Sequence, residues 1–246
     1  MSEQRAGDQG KAGERGADDR KDENEQEKVP IRELLIAAAF ELFAERGYDG
    51  TTIDDIVRRA GVGRRSFFRY FPAKEEVVFP DHERALADMV AYLDEGDRDP
   101  DPVGRACGAA RLVMRMYAEN ADFSVKRYAL TRKVPALKAY EISVVWRYER
   151  ALTAYLQRRF ANLPDGGARA YTIAASVVAA HNYGLRAWLR SGARGDAAAS
   201  VDPALDLAHR TWSDTGETVV LVARRNTPMW QVVQRLEEEW RDEGRV

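Results

Sequence analysis

The chain has a single cysteine, Cys107, among 246 residues. That excludes an intrachain disulfide and a multi-cysteine zinc site. Histidine is nearly as scarce: His82, His181 and His209 stand at no paired metal-ligand spacing, and no glycine-rich phosphate loop accompanies them. The residues therefore argue against an enzyme, and no metal or other cofactor is expected. Long apolar runs are also missing. The longest uncharged stretch, 170–185, is too short to span a bilayer comfortably and contains Ser176, His181 and Asn182. The first 28 residues hold no Val, Ile, Leu or aromatic residue, so no secretory apolar region is expected there. A cytoplasmic protein without a membrane partner follows as the expectation. Period-two alternation is absent as well, which argues against a sheet.

Charge and helical periodicity are what remain. Residues 1–29 carry six Lys/Arg and nine Asp/Glu with little that could be buried, the composition of a disordered tail. From Pro30 onward, Ile31, Leu34, Leu35, Ala38, Leu42 and Phe43 recur at helical spacing up to Gly47. A second, shorter helix begins at Thr51 or Thr52, where Thr52 and Asp55 form a capping box with Asp in place of Glu. Gly61 suits its left-handed stop. A third helix runs from about Arg64 to Phe71, where Pro72 ends it. Beyond it the spacing predicts helices near 74–94, 102–119, 121–133, 135–161, 167–190, 203–223 and 228–242. Pro80 should kink or interrupt the first of these, and 191–202 reads as a small, polar loop. The chain reads as all-α: a tail (1–29), a three-helix helix-turn-helix domain (30–73) and a larger helical domain (74–246).

The chemistry concentrates at 58–74, where Arg58, Arg59, Arg64, Arg65, Arg69 and Lys74 occur with no acid between them. In a chain of net charge −2, that local excess calls for an anionic partner. Two short helices joined at Ala60–Gly61–Val62 can present the second to a major groove about 12 Å wide. Arg64, Arg65 and Arg69 are the candidate base readers, since Arg pairs with guanine O6 and N7. Thr51, Thr52, Ser66, Tyr70 and Lys74 are candidate phosphate contacts. A solvated basic face would not need Phe67, Phe68, Tyr70 and Phe71 beside it. Of these, Phe68 and Phe71 are the expected anchors, at i and i+3.

The run Gly47-Tyr48-x-x-Thr51-Thr52-Ile53-x-x-Ile56-x-x-x-Ala60-Gly61-Val62-Gly63-x-x-Ser66-Phe67-Phe68-x-Tyr70-Phe71-x-x-Lys74-Glu75 resembles the N-terminal domain of the tetracycline-repressor-like (TetR) family. The resemblance implies a homodimeric repressor whose operator DNA is released by a small-molecule effector bound in the C-terminal domain. It places a phosphate-contacting threonine on Thr51 or Thr52, a small hydroxyl residue of the recognition helix on Ser66 and a phosphate-binding lysine on Lys74. Two positions depart from the family pattern. Gly63 stands where Ser or Thr commonly caps the recognition helix, and Phe68 stands where Tyr is common. Tyr70, where the family often has His, is expected to supply the missing hydroxyl. Three arginines at the variable positions imply a G·C-containing half-site.

Two later segments suit helix association. Residues 170–185 place Ala174, Ala175, Ala179, Ala180 and Gly184 where helices could approach. Residues 203–223 align Leu205, Ala208, Trp212, Thr215 and Val219. A two-fold partner is required mechanically if the chain reads a palindrome across two major grooves about 34–36 Å apart. Effector-lining candidates, placed within 74–190 by the resemblance, are Met114, Tyr117, Phe123, Tyr128, Trp146, His181, Asn182 and Trp188. The stripe of Trp230, Val233, Leu236 and Trp240 within 228–242 reads as core contact. The competing reading is a helical protein-interaction regulator of the same fold that does not bind DNA specifically.

Overall fold

Residues 30–213 are described by a computed structural model, and there the chain is all-α. The helices are α1 (Ile31–Arg46), α2 (Ile53–Arg59), α3 (Arg64–Tyr70), α4 (His82–Glu95), α5 (Pro102–Glu119), α6 (Ala121–Thr131), α7 (Pro135–Arg159), α8 (Gly166–Arg190) and α9 (Ala197–Ser213). A 3-10 turn, Lys74–Val78, lies between α3 and α4. No strand occurs among the described residues. The tail at 1–29 and the segment at 228–242 lie outside them, as do Thr215 and Val219.

The interruption expected at Pro80 is observed, and one boundary differs from the sequence expectation. The segment 74–94 is divided into the 3-10 turn and α4. Phe79, the residue before Pro80, has φ −121° and ψ 49°, outside the α region that a following proline disfavours. The last described helix begins at Ala197, six residues before the expected start at 203, so the loop expected over 191–202 ends at Asp196. Asp196 Oδ1 accepts from Ala198 N–H at 2.9 Å, and the run of alanines favours the helix. Pro203 is accommodated inside it.

By packing, the chain divides into two compact units. Of the described residues, one unit contains 30–84 together with Lys126–Val144; the other contains Ala85–Val125 and 145–213. The first unit is thus wider than the 30–73 segment, and the chain passes between units within α4, α6 and α7. Its core joins Leu35, Ala39, Leu42 and Phe43 of α1 to Ile56 and Val57 of α2, Phe67 of α3, Phe71, Val77, Val78 and Phe79, with Leu137 of α7. Leu34 falls off that face and is 37% exposed.

The second unit is built around α5, which buries Val103, Ala106, Cys107, Ala109, Ala110, Val113, Met114, Met116 and Tyr117. Against it lie α8 and α9, packed closely because Gly184 has no side chain: a Cβ there would stand 2.6 Å from Val201 Cα. Polar contacts fix α9 on α5. Arg111 donates to Asp202 and Asp206, each at 2.7 Å, and His209 Nε2 lies 2.6 Å from Asp101 Oδ2.

Candidate nucleic-acid interface

Helix α2 is closed at both of its ends. At the start of α2, Asp55 N–H donates to Thr52 Oγ1 at 3.1 Å and Thr52 N–H donates to Asp55 Oδ2 at 3.0 Å, the reciprocal pair expected of a capping box. The Thr52 hydroxyl and N–H hold the Asp55 carboxyl below its ordinary pKa. At the other end Gly61 adopts φ +67°, a conformation that side chains resist. Gly61 N–H reaches Arg58 O at 3.3 Å and Val62 N–H reaches Val57 O at 3.0 Å, the two bonds of a Schellman motif. This geometry fixes the direction in which α3 departs. Gly63, its N-cap, offers no side-chain bond.

The anchoring of α3 differs from the sequence expectation. Phe67 is fully buried and Phe71 is 2% exposed, whereas Phe68 is 44% exposed. The anchors are therefore Phe67 and Phe71, one full turn apart. The reason is the direction of α3: the α1–α2 core accepts the face carrying Phe67, which leaves Phe68 a further step round the helix. Phe68 stands edge-on to Phe67, with ring centroids 5.6 Å apart at 81°. Tyr70 is also exposed, at 37%.

The basic run is less uniform than its sequence. Arg59 is held by two acids of α1, donating to Glu45 at 2.8 and 2.7 Å and to Glu41 at 3.1 Å. Arg58 pairs with Asp55 at 3.1 Å, and Arg64 with Asp54 at 2.5 Å. These acids lie outside 58–74, but the fold brings them back to it. The signal for the α1 pair was present, since Glu41 and Glu45 are four apart and share a helix face. Arg65 and Arg69, both exposed, have no carboxylate partner among the described residues. Arg69 donates instead to Tyr70 Oη at 3.1 Å and lies over its ring. Arg64 lies over the Phe68 ring, 5.4 Å from its centroid.

Thr51 and Lys74 are tied into one knot. The Thr51 hydroxyl donates to Gly47 O at 2.8 Å and the residue is 1% exposed, so its side chain is not presented outward; Thr52 is exposed. Lys74 Nζ donates to Tyr48 O at 3.0 Å and Thr51 O at 2.9 Å, above the Tyr48 ring. An ammonium has three donors, so one is left. Tyr48 Oη donates in turn to Glu75 at 2.9 Å, and burial together with that acid pushes its pKa up. Ser66 is half-buried on α3.

The effector-lining candidates do not all come together. In the second unit, Met114 and Tyr117 of α5 are buried, and so is His181 of α8, whose ring bonds to the Ala110 backbone. His181 Nδ1 is buried with no hydrogen-bond partner among the described residues, and burial lowers the ring's pKa to about 4. Asn182 and Phe123 are half-buried. Trp188 is packed, and its indole N–H donates to Gly195 O at 3.4 Å. Tyr128 falls in the first unit. Trp146 is 67% exposed on α7, so it lines no interior here. The association stripes also divide. Ala174, Gly184, Leu205 and Ala208 are buried within the chain, and Trp212 donates to Ser176 at 3.0 Å. Tyr171, Ala175, Ala179 and Tyr183 line an exposed face of α8, and Leu207 of α9 is exposed too.

A helix-turn-helix domain followed by a larger helical body is the class that this fold and site define. Residues 35–79 match the sequence model of bacterial regulatory proteins, tetR family. A putative mycofactocin biosynthesis transcriptional regulator, MftR of Mycobacterium tuberculosis, is 30% identical over 122 residues, 49% of this chain and 61% of its own length. The HTH-type transcriptional regulator TcmR of Streptomyces glaucescens is 35% identical over 83 residues, 34% of this chain and 37% of its own length. The chain thus spans less than two thirds of either relative. A crystal structure of a putative TetR-family transcriptional regulator from Syntrophomonas wolfei shares the fold with TM-score 0.52 and 19% identity, over 77% of this chain and 98% of that one. Over residues 35–79 this protein is similar to the N-terminal domain of the TetR family.

Proposed function

We propose that this chain is a ligand-responsive transcriptional repressor that binds a palindromic operator as a homodimer. The observation that carries the reading is the outer face of α3, where Arg65 and Arg69 stand exposed without carboxylate partners on a helix anchored in the core by Phe67. In this reading Arg65 and Arg69 reach base edges directly, while Arg64 exchanges Asp54 for guanine. Ser66, Tyr70 and the remaining donor of Lys74 hold phosphates, Thr52 does so by turning its hydroxyl away from Asp55 Oδ2, and Thr51 contributes by fixing the loop.

The exposed α8 face of Tyr171, Ala175, Ala179 and Tyr183, with Leu207, pairs with its two-fold copy. A small-molecule effector occupies the interior of the second unit near Met114, Tyr117 and His181, where the orphan Nδ1 accepts one hydrogen bond from it. Binding shifts the population of first-unit positions through α4, α6 and α7 and spoils the spacing of the recognition helices.

The test is fluorescence anisotropy on the DNA flanking the protein's own gene, across a salt series. Specific binding whose affinity falls steeply with salt is the expected result. No specific binding at any salt would favour a protein-interaction regulator of the same fold.

A further inference from the structure

Phe68 is an exposed phenyl group on the face that the proposed function presents to the major groove. It has no hydrogen-bonding capacity, so it cannot hold a phosphate or pair with a polar base edge. Its position is nonetheless well defined. The buried Phe67 ring stands edge-on behind it at 5.6 Å, and the Arg64 guanidinium lies over it at 5.4 Å from the centroid. Asp54 also accepts a hydrogen bond from that guanidinium, at 2.5 Å. A phenyl ring has only two side-chain torsions, so little freedom is lost when it docks. The one apolar group that B-DNA offers in the major groove is the C5-methyl of thymine.

We infer that Phe68 is a specificity-determining residue that reads a thymine methyl in the half-site, beside a guanine read by Arg64. The inference rests on the DNA-binding reading above and adds to it a base that the arginines do not select. Spacing constrains where that thymine lies. Arg64 and Phe68 are four residues apart on one helix, a rise of about 6 Å. Stacked base pairs rise about 3.4 Å. The thymine therefore lies within two base pairs of the guanine. Asp54 and Phe68 together keep Arg64 near its reading position in the free protein, which makes them positioning groups for that guanine.

The experiment uses the full chain and the duplex it selects from a random-sequence pool. Each thymine of that duplex is replaced singly by deoxyuridine, which removes only the methyl group. For the unaltered protein, one thymine per half-site should lose about fourfold in affinity, the size of one buried methyl-sized group. Phe68→Ala should bind the thymine and uracil duplexes equally while still losing affinity when the neighbouring guanine becomes 7-deazaguanine. Arg64→Ala should show the converse. Uracil tolerated at every position by the unaltered protein overturns the inference without any variant having to fold. A uracil penalty that survives in Phe68→Ala overturns it too. Selection of no duplex at all overturns the DNA-binding reading itself, so the two failures are distinguishable.

Discussion

Within α3 the neighbours Phe67 and Phe68 differ in exposure more than any sequence property of theirs would suggest, and their substitutions should differ accordingly. Phe67→Ala removes a fully buried ring from the α1–α2–α3 core and should destabilise the protein by about 3–5 kcal/mol in urea denaturation. Phe68→Ala should stay within about 1 kcal/mol. Arg65 separates reading from holding. Arg65→Ala should relax preference at one base pair, as measured by anisotropy against an operator substitution series. An equal loss across every substitution would make Arg65 a phosphate contact instead. His181 supplies a pH dependence. Its ring is neutral in the folded chain down to about pH 4 but takes up a proton near 6.5 once unfolded. Unfolding therefore binds a proton between those values, and stability falls as pH drops from 6.5 towards 4, by on the order of 3 kcal/mol in full. His181→Leu should flatten that part of the profile in a denaturation series, and an unchanged slope would assign it to other groups.

At the scale of elements, short helices depend on their ends. α2 has seven residues, so its capping box and Schellman turn satisfy a large share of its backbone groups. Thr52→Ala should cost about 1 kcal/mol by thermal unfolding, and Asp55→Ala added to it should cost less than its single value, because the two residues form one reciprocal motif. The α8–α9 pair depends on a missing side chain instead. Gly184→Leu would drive Cβ against the backbone of Ser200 and Val201, and should cost more than 2 kcal/mol by the same measurement. Were Gly184→Leu tolerated, the two helices would have room that the packing does not show.

On the proposed reading, a DNA-binding unit acts together with a helical body, and the palindrome requires two copies. Ala179→Glu places a charge on the exposed α8 face without touching the intrachain core. It should leave helicity by circular dichroism unchanged, halve the mass measured by light scattering, and weaken operator binding in parallel. A variant that stayed dimeric would move the interface elsewhere. No helix of the described residues is long and apolar enough to cross a membrane, in agreement with the scarcity of uncharged runs.

What the sequence by itself determined is whatever depends on residues close along the chain. Helical periodicity, the Thr52–Asp55 box, the Gly61 turn and the stop at Pro72 are local, because each depends on hydrogen bonds or torsions within a few residues. The family resemblance rests on that same local run. Only the tertiary structure decided which aromatic turns inward, since Phe67 and Phe68 are equally apolar and the choice follows from the angle at which α3 meets α1 and α2. It also decided which arginines remain without an acid. Glu41 and Glu45 belong to α1 and Asp54 to the first turn of α2, outside 58–74, and the fold brings them to Arg59 and Arg64. Charge composition within a window describes the partner a segment would attract. The free charge that a partner meets is set by which opposite charges packing delivers within a few ångströms.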